Sequence, residues 1–203
     1  MSVYLLKPRF QALLRPWVNI LANKHITANQ VTIAACVLSV LVGCLVALGL
    51  AKGYLSVLVC VPVVLLLRMA MNAIDGMLAR EHQQQTPLGA YLNELTDVIS
   101  DAALYWPLVF LPNTHSFWVC LLIFQAALTE LAGVLGQIHG NGRRYDGPMG
   151  KSDRALYLGL LSMIWLAFES CLQYVNVALV LLNLLLAYTV YHRVKKGLTP
   201  ARI

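Results

Sequence analysis

The chain has 203 residues, 59% of them hydrophobic and 12% charged, with a mean hydropathy of +0.69. That excludes an ordinary soluble domain and places the sequence among polytopic membrane proteins. The formal net charge of +6 does not mark a nucleic-acid binder, because the basic residues are distributed as a membrane topology distributes them.

Residues 4–23 mix apolar and basic side chains and contain Pro8 and Pro16. The pattern predicts an amphipathic helix lying on the membrane surface, with Trp17 at headgroup level. Lys7, Arg9 and Arg15 are spread through it, with no short apolar core before a small-residue cleavage site, so no removable signal peptide is expected. Apolar runs follow at about 28–50, 53–80, 87–111, 116–138, 154–171 and 174–194. Each is near the ~20 residues that cross a ~30 Å hydrocarbon core, which predicts an all-α protein with six transmembrane helices. Thirteen of the fifteen Lys and Arg residues fall on one side of this topology; Lys52 is on the other and Arg68 lies within a span. The positive-inside rule then puts both termini in the cytoplasm. No composition shift, linker or internal repeat divides the chain, so residues 1–203 are expected to form one domain. The five cysteines lie singly in apolar runs and count as small hydrophobes.

The polar residues inside the second and third spans carry the functional signal. Arg68, Asn72, Asp75, Asn93, Glu94, Asp97 and Asp101 would not be tolerated by hydrocarbon without partners. At about 100° per residue, Arg68, Asn72, Asp75, Gly76 and Ala79 share one helical stripe, and Gly89, Asn93, Asp97 and Asp101 share another. Neither stripe can face lipid, so the two should face each other. With Arg80 and Pro87 at the inner surface and a rise of about 1.5 Å per residue, Asp75, Asn72, Asn93 and Asp97 lie roughly 8–15 Å deep and can surround a cavity open to the cytoplasm. Arg68 and Asp101 come out at roughly 18 and 21 Å, deep enough to be a structural ion pair between the helices.

Carboxylates and amide carbonyls at such an opening suit a hard divalent cation, and Mg²⁺ is usually held by carboxylates together with substrate phosphates. Arg80 and the basic residues of 143–154 at the same mouth imply a phosphorylated substrate. Gly76 and Gly89 either let helices approach closely or leave room for a bulky ligand beside the carboxylates. Glu130, midway along the fourth span, and Glu94, next to the site stripe, are the acids placed to compensate for the amides at 72 and 93; a helix–helix hydrogen bond is the plainer role for Glu130.

Asn72-x-x-Asp75-Gly76-x-x-Ala79-Arg80, eight residues, then Gly89-x-x-x-Asn93-x-x-x-Asp97 resembles the signature of the CDP-alcohol phosphatidyltransferases, in particular a bacterial inner-membrane subgroup with similar asparagine substitutions. In the family pattern positions 72 and 93 are also aspartates. The resemblance implies Asp75, Asp97, Asn72 and Asn93 as a site for Mg²⁺ or Mn²⁺, with Asp97 also the general base. It implies Asn29, Thr32, Asp75, Gly76, Ala79, Arg80 and Gly89 around a cytidine nucleotide, and Lys151 and Arg154 at an acceptor's or the donor's phosphates. The implied reaction moves a phosphatidyl group from a CDP-alcohol, CDP-diacylglycerol first among them, to an acceptor hydroxyl with release of CMP. The acceptor would be a small or phosphorylated alcohol. The implied setting is a homodimer in the bacterial inner membrane, its site facing the cytoplasm. Two carboxylates in place of four leave a second reading, a CDP-lipid- or CMP-binding member without turnover. A transporter is the third reading; no inverted repeat supports it.

Overall fold

The structure, a computed structural model, describes residues 7–138 and 142–198, and among these it is helical with no strand. Seven α-helices follow in order: α1 Lys7–Asn23, α2 Ala28–Ala51, α3 Cys60–Glu81, α4 Pro87–Tyr105, α5 Ser116–Ile138, α6 Lys151–Ala167 and α7 Val175–Gly197. Short 3₁₀ turns at Leu55–Val59, Trp106–Phe110 and Glu169–Tyr174 adjoin α3, α4 and α7.

Local chemistry sets the ends that matter for the site. Thr27 accepts a hydrogen bond from the Gln30 amide at 3.3 Å while the Gln30 side chain accepts from the Thr27 amide at 2.9 Å, a reciprocal cap that starts α2. The next orphan donor of that helix, the Ala28 amide, reaches Gln84 Oε1 at 2.7 Å, so the α3–α4 turn is tied to the start of α2. Thr86 caps α4 by accepting from the Gly89 amide at 2.9 Å, with Pro87 at its first position. Pro107 has no amide proton to continue the α-helical ladder, and α4 gives way to the 3₁₀ turn there.

Helix α1 packs on α3, α2 packs on α3 and α4, α3 on α6, α4 on α5, and α5 on α7. One core, including Val46, Leu65, Leu104, Leu122, Trp165 and Leu179, runs through the bundle, and a smaller one of Val18, Ala28, Val31, Met77 and Leu78 lies beneath α1. The outward faces of α2 and α3 are apolar as well, with Leu41, Leu48, Val63 and Leu66 exposed. Glycine makes the α2–α4 contact possible: a side chain at Gly43 would run into the Ala103 carbonyl.

The six helices after α1 differ in how well each fits a membrane span. Among the described residues, four helical segments are long and apolar enough to cross a membrane: Ala28–Ala51, Leu55–Glu81, Ser116–Ile138 and Glu169–Gly197. Helix α4, 19 residues, carries Glu94, Asp97 and Asp101, and α6 has only 17 residues. The expected run at 154–171 begins earlier and ends earlier, as α6. Its start is fixed by Gly150, whose amide donates to Asp153 Oδ2 at 3.2 Å. The surface helix expected at 4–23 runs from Lys7, with residues 4–6 outside those described; Val18 faces the protein and Trp17 faces out.

Candidate active site

Helices α2, α3 and α4, the α3–α4 turn and the loop before α6 enclose a cavity of about 790 Å³. Every residue expected around the nucleotide lines it: Asn29, Thr32, Asp75, Gly76, Ala79, Arg80 and Gly89. Asn72, Asn93, Glu94 and Lys151 line it too. Thr32 Oγ1 donates to Asp75 Oδ2 at 2.7 Å and so fixes that carboxylate. The two glycines have separate causes. A Cβ on Gly76 would lie 3.2 and 3.3 Å from the two terminal nitrogens of Arg80, so its absence lets the guanidinium lie back along α3. A Cβ on Gly89 would come within 2.7 Å of Asn29 Oδ1, so its absence lets Asn29 sit against α4.

Asp97 does not line the cavity. It is 3% exposed and lies behind two residues that do. Asn72 Nδ2 donates to Asp97 Oδ1 at 3.0 Å, and the Lys151 ammonium pairs with Asp97 Oδ2. Arg68 donates to Asp97 Oδ1 at 3.2 Å and to its carbonyl at 2.9 Å, and pairs with Asp101.

From there the ion pairs continue. Asp101 Oδ2 meets Arg154 at 2.8 Å, Arg154 meets Glu130 at 2.8 Å, Glu130 meets Arg143 at 3.2 Å, and Arg143 pairs with both oxygens of Glu94. Lys151, Asp97, Arg68, Asp101, Arg154, Glu130, Arg143 and Glu94 thus form one chain of alternating sign, four cations and four carboxylates, both ends of which return to the cavity.

This placement corrects two expectations. Arg154, expected at a phosphate, is fully buried and bonds Asp101, Glu130, Thr129 and the Met149 carbonyl. Its position one turn into α6 carries it under the cavity, where Lys151 reaches the cavity itself. Glu130, considered as a substitute metal ligand, lies beneath the cavity between Arg154 and Arg143. Among the described residues no three His, Cys, Asp or Glu side chains gather as a ready-made metal site.

A family model for CDP-alcohol phosphatidyltransferase matches residues 25–191. The chain belongs to the CDP-alcohol phosphatidyltransferase family. It is 46% identical over 198 residues to inner membrane protein YnbA of Escherichia coli strain K12, covering 98% of this chain and 97% of that one. The crystal structure of Mycobacterium tuberculosis phosphatidylinositol phosphate synthase in complex with manganese and citrate matches with a TM-score of 0.72 at 20% identity, over 91% of this chain and 88% of that one. The same synthase with CDP-DAG bound matches with a TM-score of 0.69 at 20% identity, over 93% and 98%. At these identities the likeness is one of fold. Membership places the chain among membrane-embedded, metal-dependent transferases of phospholipid biosynthesis that take their group from a CDP-alcohol.

Within the CDP-alcohol phosphatidyltransferase frame, the structure adds residues to which the motif gives no role. Gln84 and Gln85, inside the eight-residue spacer, line the cavity, as do Gln137, Arg143 and Tyr145. The Arg143 guanidinium lies 5.4 Å from the centre of the Tyr145 ring. Burial alone would lower the proton affinity of Arg143; the Glu94 carboxylate more than reverses this and holds it above its ordinary value. The loop is anchored by the Arg144 amide to the Gly133 carbonyl at 3.1 Å, and by Arg193 of α7 to the Asp146 carbonyl at 3.2 Å.

Proposed function

We propose that the protein transfers a phosphatidyl group from CDP-diacylglycerol to the hydroxyl of a second alcohol and releases CMP. One observation carries the reading. Seven of the eight motif positions line a single cavity with Asn29 and Thr32, and the eighth, Asp97, touches two of its lining residues.

Among the described residues, Arg80 is the cavity-lining cation without an ion pair, which leaves it free for the donor's diphosphate. Asp75 is the lining carboxylate without one, and its donors suit Mg²⁺ or Mn²⁺ completed by substrate phosphates. Such an ion, when bound, offsets charge on the phosphoryl oxygens. Asn72 and Asn93 line the same cavity as Asp75 and offer the ion carbonyl ligands.

Asp97 accepts the acceptor's proton as the acceptor oxygen bonds to the phosphorus that bears the diacylglycerol. The bond from that phosphorus to CMP breaks, and CMP leaves with the electron pair. For this, Lys151 moves from Asp97 Oδ2 toward the phosphates. With Arg154 buried elsewhere, Lys151 and Arg143 are the basic residues left to meet a phosphorylated acceptor.

We take α4 and α6 as the two further spans, their charges satisfied inside the protein rather than by lipid. The basic loops then put the cavity on the cytoplasmic side of a bacterial inner membrane. On family resemblance we propose a homodimer, and the mass of the particle in mild detergent tests that.

The test is incubation of the purified protein with CDP-diacylglycerol, Mg²⁺ or Mn²⁺ and a panel of alcohols, following CMP by mass spectrometry. CMP release that Asp97→Asn abolishes supports the reading, and undiminished turnover in that variant removes Asp97 from the mechanism. The engagement of Asp97 by Arg68, Asn72 and Lys151 favours the second reading, a protein that holds CDP-lipid without turnover. That reading stands if the wild type releases no CMP and Asn72→Asp with Asn93→Asp does.

A further inference from the structure

The alternating chain of ion pairs is neutral within itself: each of its four carboxylates has at least one cation, and each of its four cations at least one carboxylate. Removing it from the account leaves two charges on the cavity wall, Asp75 and Arg80, which are of opposite sign. The donor's diphosphate, esterified at both ends, brings two negative charges. One divalent cation beside Asp75, with Arg80, leaves two positive charges to meet them, and the account closes. A second divalent ion would leave two positive charges over in a site where unbalanced charge is costly.

The amides at 72 and 93 fit the same account. Asn72 Nδ2 donates to Asp97 at 3.0 Å and Asn93 Nδ2 to Glu94 at 3.3 Å. An aspartate at 72 would instead set a carboxylate against Asp97 at that distance, which requires a further cation between them. Lys151 already stands on the other oxygen of Asp97, and the side chain is long enough to do so from the first position of α6.

Resting on the phosphatidyl-transfer reading for the donor's charge, we propose that this cavity takes one divalent cation, at Asp75, and that Lys151 occupies as a built-in cation the place at Asp97 that a second metal ion would take. Lys151 is then a positioning residue: it pairs with the buried Asp97 carboxylate, and moves to the diphosphate when the donor arrives.

The measurement is Mn²⁺ stoichiometry on the full chain in detergent, by electron paramagnetic resonance titration with CDP-diacylglycerol supplied to complete the ion's ligand set and no acceptor alcohol present. The wild type is expected to bind one Mn²⁺ per chain, and Lys151→Met combined with Asn72→Asp to bind two. Lys151→Arg, which keeps the charge, is expected to stay at one. Circular dichroism and elution volume identify any variant that fails to fold, and the wild-type and Lys151→Arg stoichiometries then decide alone. Two ions on the wild type, none on it, or a folded double variant that still takes one, overturns the proposal. Because the acceptor is absent, a protein that binds one ion with its donor yet never releases CMP when alcohols are added overturns the transferase reading and leaves the Lys151 assignment standing.

Discussion

Asp101→Asn separates a structural carboxylate from a catalytic one. Asp101 is 3% exposed and joins Arg68 to Arg154, itself fully buried. Neutralising it leaves four cations facing three carboxylates in the chain. Removing one member of a buried pair costs about 3–5 kcal/mol. The remaining contacts moderate this: Arg154 keeps Glu130 at 2.8 Å and Thr129 at 2.8 Å, and Arg68 keeps Asp97 at 3.2 Å. The lower end, about 3 kcal/mol, is therefore expected. For a chain of this size that is a melting temperature about 6–12 °C lower. Arg68→Met with Asp101→Leu removes both charges, leaves Asp97 to Lys151 and Arg154 to Glu130, and should recover most of the loss. Thermal unfolding in detergent, followed by tryptophan fluorescence, reads both variants. An Asp101→Asn protein melting within about 1 °C of wild type, where about 2 °C is the least that even 1 kcal/mol gives, would refute the reasoning. So would a double variant no more stable than the single one.

Two further substitutions test the geometry. Gly89→Ala puts a methyl group 2.7 Å from Asn29 Oδ1; overpacking of about 1–3 kcal/mol should lower the melting temperature by about 2–12 °C, and the displaced Asn29 should weaken CMP binding measured by isothermal titration calorimetry. Arg15→Ala breaks an ion pair with Glu81 at 3.0 Å whose side chains are 57% and 38% exposed; such a pair is worth about 0–1 kcal/mol, so the melting temperature should move by at most about 4 °C.

The sequence makes the α3 and α4 stripes legible because both helices mix apolar and polar residues at a period that marks a face. The convergence of Asp75, Gly76, Arg80 and Gly89 on one cavity follows from those stripes and from the spacing of the motif. The outer half of the charge network was not legible. Arg143 and Glu94 lie 49 positions apart, and Arg154 and Asp101 lie 53 apart. Their meeting depends on how α5 and α6 pack against α3 and α4. Runs that are apolar nearly all round, such as α2, mark no face for that choice. The burial of Asp97 was hidden for a related reason. Helical period puts it on the site stripe, but its distance from the cavity is decided by side chains of α3 and α6, which period does not address.

The choice of basic residues follows the same logic as the network. Each interior link must join two carboxylates at once: Arg68 bridges Asp97 and Asp101, Arg154 bridges Asp101 and Glu130, and Arg143 bridges Glu130 and Glu94. A planar guanidinium with five donors in fixed directions suits that task, and an ammonium on a flexible stem does not. The position with a single carboxylate to satisfy is the cavity end at Asp97, and there the residue is lysine, partly exposed. Lys151 is also the link that can detach without splitting the network, since Asp97 keeps Arg68 and every other pair stays closed. The cation held least firmly thus sits where the proposed mechanism needs movement, and the guanidiniums sit where two carboxylates have to be joined.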